Sequence, residues 1–222
     1  MIVGKLKPVE EIIAFVSNYK KVAVLGCGGC VSVCLTGGDR EARALACELG
    51  QQGPYPQAPP EFTALTIERQ CERDMVESFL EIPAGTEAIL STACGAGVQM
   101  AADVFGHLPV MPALNTTFLG AFDGPGLWRE NCRGCGDCVL GITGGLCPVA
   151  RCSKQLFNGP CGGSSGGKCE ISDNVDCVWQ LIIERLKERG RLSECMAMFP
   201  VKNWSKDRGG GPRKMTKTAN QF

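Results

Sequence analysis

Cys132, Cys135 and Cys138 are spaced C-x2-C-x2-C, and Cys147 directly precedes a proline. Short-spaced thiols of this kind are the ligand pattern of cubane iron–sulfur clusters, in which each cysteine thiolate binds one iron. The stretch 131–170 holds seven cysteines and ten glycines in forty residues. Cys152, Cys161 and Cys169 complete that stretch, and Cys177 follows at the start of a helical pattern. Eight thiols equal two four-coordinate sites. The ferredoxin run is C-x2-C-x2-C-x3-C-P; here the spacer before Cys147 is eight residues, which leaves the pairing open. One assignment gives Cys132, Cys135 and Cys138 plus one later cysteine to one centre and the rest to a second. One cluster with spare thiols, or one cluster with a zinc, are alternatives.

A second set lies near the N-terminus. Cys27, Cys30 and Cys34 follow an apolar run in LGCGGCVSVC, Cys71 follows a second such run, and Cys94 follows a third in STACGAG. If the runs are parallel strands, their C-terminal ends share one edge, where ligands gather. Five thiols then meet four positions, and the expected ligands are Cys27, Cys30, Cys34 and one of Cys71 or Cys94. Glycines 26, 28, 29, 95 and 97 let backbone N–H groups approach sulfur. Cys47, between Leu45 and Leu49, reads as packing. The spacing C-x2-C-x3-C is not the C-x3-C-x2-C of radical-SAM enzymes. GCGGCV lacks the third glycine of a dinucleotide fingerprint, and GGSSGGKC has Cys169 in place of the phosphate-loop hydroxyl. Lys168 is expected to offset cluster charge. A dithiol redox pair at CGGC is a rival, weakened by Cys34.

The elements that must position these thiols are legible in outline. Helices are expected over 8–19, 39–49, 73–80 and 98–105, and strands over 22–25, 62–67, 88–91 and 108–114. Gly50 is expected to close the second helix. This alternation predicts an α/β fold with an open parallel sheet in an N-terminal domain, 1–125. The Gly120 to Gly126 stretch reads as a break. A cysteine-rich, loop-dominated metal-binding module follows over 126–200. It contains a terminal helix over 174–189, striped by Val175, Val178, Trp179, Ile182 and Leu186 and ended by Gly190. Cys177 lies off that stripe, so it can face a metal or simply pack. The segment 201–222, with six Lys/Arg from Lys202 on against one Asp, reads as a basic flexible tail.

Composition narrows the chemistry. Fifteen cysteines stand against one histidine, His107, so a metal must be held mainly by sulfur. His107 itself is expected at a surface turn. The 23 Lys/Arg balance the 23 Asp/Glu, so no net field favours nucleic acid. MIVGKLKPVEE has no apolar run of a signal peptide, and no stretch reaches membrane-spanning length. The expected setting is cytoplasmic and reducing, where metal-bound thiolates outrank disulfides. No acid–base constellation stands out, so no catalytic residue is expected.

NCRGCGDC, TGGLCPVARCSKQLFNGPCGG, GKCE and DCVWQLIIERLKERGRL resemble the methylenetetrahydrofolate reductase C-terminal family. GCGGCVSVCLTGG, RQCE and CGAGVQ resemble the N-terminal half of the same small subunits. The resemblance covers roughly 20–195. It implies an iron–sulfur small subunit of a bacterial methylenetetrahydrofolate reductase, an oxidoreductase of one-carbon metabolism. It implies one to three [4Fe–4S] clusters, with zinc an alternative at one site. It also implies a heteromer in which a flavoprotein subunit, rather than this chain, binds flavin and folate. Further electron-transfer proteins are conceivable partners. The alternative is a zinc-binding docking subunit of the same complex without a redox role.

Overall fold

The computed structural model describes residues 1–51, 55, 58–79, 81–207, 209 and 215. The chain forms two compact units, 1–128 and 129–222.

In the first unit the order is β1 (Ile2–Leu6), α1 (Val9–Val16), β2 (Lys21–Cys27), α2 (Cys30–Val33), α3 (Asp39–Gln51), β3 (Glu61–Ile67), α4 (Arg73–Glu77), β4 (Ala88–Ser91), α5 (Gly95–Val104), β5 (Val110–Pro112) and β6 (Leu114–Gly124). β2 to β5 make a parallel four-stranded sheet in the order β3-β2-β4-β5. Its side chains alternate with the period-2 rule of strands. Val22, Val24 and Leu90 join Ile12, Val16, Leu45 and Leu49 in one buried cluster, beneath α1 and α3. Ala23, Leu25 and Ile89 join Val76, Ala101 and Phe105 in another, beneath α4 and α5. A sheet covered on both faces needs continuous apolar strands, which is why VAVL reads as one run.

Three features depart from the sequence expectation. α3 runs through Gly50 to Gln51, and α4 stops at Glu77. The proline-interrupted run 108–114 is two strands. β5 ends at Pro112, and β6 begins at Leu114 and pairs antiparallel with β1. The expected break at 120–126 lies within regular structure: β6 turns through Gly124, Pro125 and Gly126 into β7 (Leu127–Cys132). Gly124 and Gly126 have φ of +140° and +75°, which side chains resist. β7 carries the chain into the second unit.

The second unit continues with α6 (Pro148–Arg151), β8 (Lys168–Cys169), β9 (Ser172–Asp176), α7 (Val178–Glu188) and α8 (Leu192–Met196). Its core is α7: Val178, Trp179, Ile182 and Leu186 are buried with Leu146 and Phe199. Trp179 Nε1 donates to Leu156 O at 3.1 Å, tying the loop to the helix. α7 starts later than the stripe implies, because residues 172–176 pair with β8 and leave Val175 exposed. The tail does not begin loose. Lys202 is buried, its Nζ donates to Asp137 O, and its ammonium lies 5.5 Å from the Trp204 ring centroid. Most of the expected flexible stretch beyond 207 lies outside the described residues.

Candidate metal centres

In the first unit the sheet brings distant cysteines together. Cys27 is the last residue of β2, and Cys30 opens α2 three residues later. Cys71 comes four residues after β3 and Cys94 is the N-cap of α5, three after β4. All four line one cavity of about 70 Å³, with Gly29, Val31, Arg69, Ala93 and Gly97. That is several times the room one water needs. Burial pushes the Cys71 thiol up, and negative charge at Cys27 and Cys94 pushes it further, so thiols from three loops feel one another. The remaining member of the expected set, Cys34, does not line this cavity. It is buried in one cluster with Val3, Val31, Leu114 and the cavity-lining Cys27 and Ala93, with Cys94 packed against that cluster, but its Sγ is 3.6 Å from Val31 O and 3.4 Å from Thr36 Oγ1.

Sequence reasoning missed Gln70, the residue that sets the Cys71 loop. It is wholly buried. Its Nε2 donates to Leu25 O at 2.8 Å and Gly26 O at 2.9 Å, and its Oε1 accepts from Ser91 Oγ at 2.7 Å. One side chain therefore joins the loop after β3 to the ends of β2 and β4. Gly97 permits this: a Cβ there would stand 2.7 Å from Ala93 Cβ and 2.9 Å from Gln70 Cβ. The only available signal was a polar residue beside a cysteine, which is too common to single out.

In the second unit Cys152, Cys161, Cys169 and Cys177 line a tighter space of about 20 Å³, with Arg151, Lys154, Ser164, Glu170 and Trp179 on its walls. Cys152 ends α6, Cys169 ends β8 and Cys177 is the N-cap of α7. Lys154 pairs with Glu170, whose other oxygen accepts from Cys161 Sγ at 3.3 Å. Lys154, and then the Cys161 thiol, hold the Glu170 carboxyl below the usual carboxylate range. Lys168, expected to offset cluster charge, pairs at 2.6 Å with Asp176, which lines this space. Lys154 and Arg151 are the cations on the cavity wall.

Cys132, Cys135, Cys138 and Cys147 line neither space. Cys132 Sγ accepts from Gly134 N at 3.4 Å, and Cys135 Sγ donates to Asp137 O at 3.7 Å. Cys138 faces a groove with Val139, Phe157 and Phe199, and Cys147 caps α6. Cys47 is exposed and accepts from Gln51 Nε2 at 3.2 Å, rather than packing in the core. His107 is exposed in the turn after α5, as expected.

Among the described residues no group of three or more His, Cys, Asp or Glu stands at the spacing that holds a single ion. A tetrathiolate zinc, with bonds of about 2.3 Å, needs its sulfurs roughly 3.8 Å apart. A cubane asks for something different, since each thiolate binds a separate iron and the sulfurs surround a body. The four thiols around the space of about 70 Å³ in the first unit fit that demand in donor type, number and room, and the four around about 20 Å³ in the second unit fit it in donor type and number alone. Also among the described residues, no helix is long and apolar enough to cross a membrane.

No curated protein and no solved structure gives a significant match. Residues 111–205 match the model of a family described as methylene-tetrahydrofolate reductase C terminal. The match takes in all eight cysteines from Cys132 to Cys177 and leaves Cys27, Cys30, Cys71 and Cys94 outside it.

Proposed function

We propose that this chain is the iron–sulfur electron-transfer subunit of a methylenetetrahydrofolate reductase, working beside a flavoprotein subunit that binds flavin and folate. The observation that carries the reading is the convergence of Cys152, Cys161, Cys169 and Cys177 on one space, inside the stretch that matches that family. Soft thiolates select iron–sulfur or zinc over harder cations. Cys132, Cys135 and Cys138, with Cys147, are the ligands of a further centre on the strength of their spacing. Such centres, when bound, would pass single electrons to or from the partner's flavin, supporting the reduction of 5,10-methylene- to 5-methyltetrahydrofolate. The chain's own residues supply the environment. Arg151 and Lys154 line the space together with the carboxylates Glu170 and Asp176, so its wall is charge-balanced, and the α7 core behind Cys177 keeps water from one side. The setting is a cytoplasmic heteromer, with the flavoprotein as the partner.

A second reading is a zinc-held docking module in the same complex. It is favoured by the smallness of the second unit's space, which suits one ion better than a cubane. Anaerobic iron, acid-labile sulfide and zinc analysis separates the two. The proposed function expects brown protein whose visible absorbance bleaches with dithionite. It also expects folate reductase activity only after the flavoprotein is added, and stepwise reoxidation of the reduced chain by that flavoprotein. Colourless protein with stoichiometric zinc and no sulfide refutes electron transfer.

A further inference from the structure

The parallel sheet of the first unit has the strand order β3-β2-β4-β5. From β2 the chain crosses one way to β3, then back past β2 to β4. That reversal makes the β2/β4 edge a topological switch point, where the carboxyl ends of the strands open a crevice that binds ligands in folds of this kind. The cavity of about 70 Å³ lies there, since Cys27 ends β2 and Ala93 and Cys94 follow β4. Its walls are unusual for an organic ligand. Four of the nine lining residues are cysteines, two are glycines, two are Val31 and Ala93, and Arg69 alone carries charge. Arg69 is the one side chain there that could hydrogen-bond a phosphate, and it already pairs with Glu68 and Glu72. Thiols are the only ligating chemistry on offer.

We propose that Cys27, Cys30, Cys71 and Cys94 are the four ligands of a [4Fe–4S] cluster in the first unit, and that Cys34 is not a ligand. The four come from three loops that the sheet gathers at one edge, and Gln70 holds the Cys71 loop against the other two. Gly29 keeps a wall low beside Cys27: a Cβ there would sit 3.6 Å from the Cys27 sulfur. A thiolate-bound cubane is negatively charged. The N-terminal end of the ten-residue α5, capped by Cys94, favours that charge, while Arg69 on the wall is already paired with Glu68 and Glu72 at 3.5 and 3.6 Å. Cys34 is one helical turn beyond Cys30, with its thiol turned to Val31 O and Thr36 in the core. Local spacing offers it as a ligand, while the fold assigns the position to Cys71 and Cys94 together. The inference shares iron–sulfur chemistry with the proposed function, but its test reads metal content and not reaction with a flavoprotein.

The test uses the full chain, reconstituted anaerobically with ferrous iron and sulfide, as wild type, Cys71→Ala, Cys94→Ala and Cys34→Ala. Iron, sulfide and zinc are counted, and EPR spectra are taken after dithionite. Cys71 is exposed, so its replacement removes a ligand without disturbing the core. The expected result is that C71A and C94A each lose the EPR signal of one centre, with iron and sulfide falling by up to about four per chain. C34A keeps wild-type iron and spectrum. Equal iron loss in C34A, full retention in C71A, or loss of zinc without sulfide overturns the assignment. A flavoprotein that fails to exchange electrons with a chain showing the expected pattern would count against the proposed function alone.

Discussion

Replacing Gln70 by leucine tests whether one buried amide holds the cysteine loops of the first unit in register. The wild-type side chain makes three hydrogen bonds while wholly buried. Leucine fills similar space and makes none. Leu25 O is not orphaned, because Thr92 N and Thr92 Oγ1 still donate to it at 3.0 and 3.3 Å. Gly26 O loses the amide donor but keeps its place in the β2–β3 ladder, where Gly26 lies opposite Thr66. The Ser91 hydroxyl loses its acceptor, although its oxygen still accepts from Ala93 N at 3.2 Å. Losing the three hydrogen bonds costs about 0.5–1.5 kcal/mol each, with the orphaned Ser91 hydroxyl at the upper end, and the more apolar side chain returns roughly 1–2 kcal/mol. The net expectation is a loss of about 1–3 kcal/mol from the first unit. Urea unfolding of the metal-free chain, followed by far-UV circular dichroism, avoids the stabilisation that bound metal adds. Because the chain has two compact units, the shift should appear only in the transition of the first, by roughly 0.5–1.5 M in midpoint. The double variant Gln70→Leu/Ser91→Ala removes the orphaned hydroxyl and should recover about 1 kcal/mol. A single variant within about 0.2 M of wild type, or a double variant that is worse than additive, would show that the amide is not the pin.

Two further perturbations probe packing and thiol chemistry. Gly37→Ala places a Cβ 2.0 Å from Thr92 O, backbone against backbone with no rotamer to relieve it, and Gly37 O already accepts from Cys27 N at 2.9 Å. It should cost roughly 3–5 kcal/mol in the first unit, read from the same urea curves, with the second unit's transition unmoved. Alkylation with iodoacetamide should modify exposed Cys47 well before Cys195, whose thiol burial pushes up. Only the thiolate reacts, and a raised value keeps the protonated form dominant to higher pH, so the Cys195 rate should climb as pH rises through it. Peptide mass mapping over a pH series reads both, and equal rates at neutral pH would contradict the burial argument.

The layered sheet of the first unit was legible because its physics is local. Val22 to Leu25 is apolar at every position, and only a strand covered on both faces makes use of that. The second unit was harder. Its backbone is shaped by turns, such as those at Gly144 and Gly145 with φ of +63° and +87°, which set no periodicity. Val175 looked like the first member of a helical stripe, since a spacing of three is compatible with a helix. The pairing of β9 with β8 claims it first, and the helix begins only past Cys177. β1 and β6 were invisible for another reason. IVGKL is short and half polar, and its pairing with β6 is a contact between residues more than a hundred positions apart, which no window of sequence contains.

The same distinction explains the candidate ligands. Cys27, Cys30 and Cys34 are adjacent in sequence, so spacing groups them, and spacing is a sound guide when a loop alone wraps a metal. Here the loop becomes a short helix, α2, directly after the strand. Once that turn forms, the direction of each thiol is set by helical geometry. Cys30 at its start meets the edge of the sheet, and Cys34 at its end meets the core beside Leu114. The cavity's other thiols come from elsewhere, on loops that the parallel sheet delivers to the same edge. Cys71 and Cys94 lie 44 and 67 residues beyond Cys27 in sequence. The eight-residue spacer before Cys147 poses the same problem, since spacing alone assigns that cysteine no partner. Cys152, Cys161, Cys169 and Cys177 converge because a hairpin and the N-cap of α7 meet there, which the run of intervals between the cysteines does not encode.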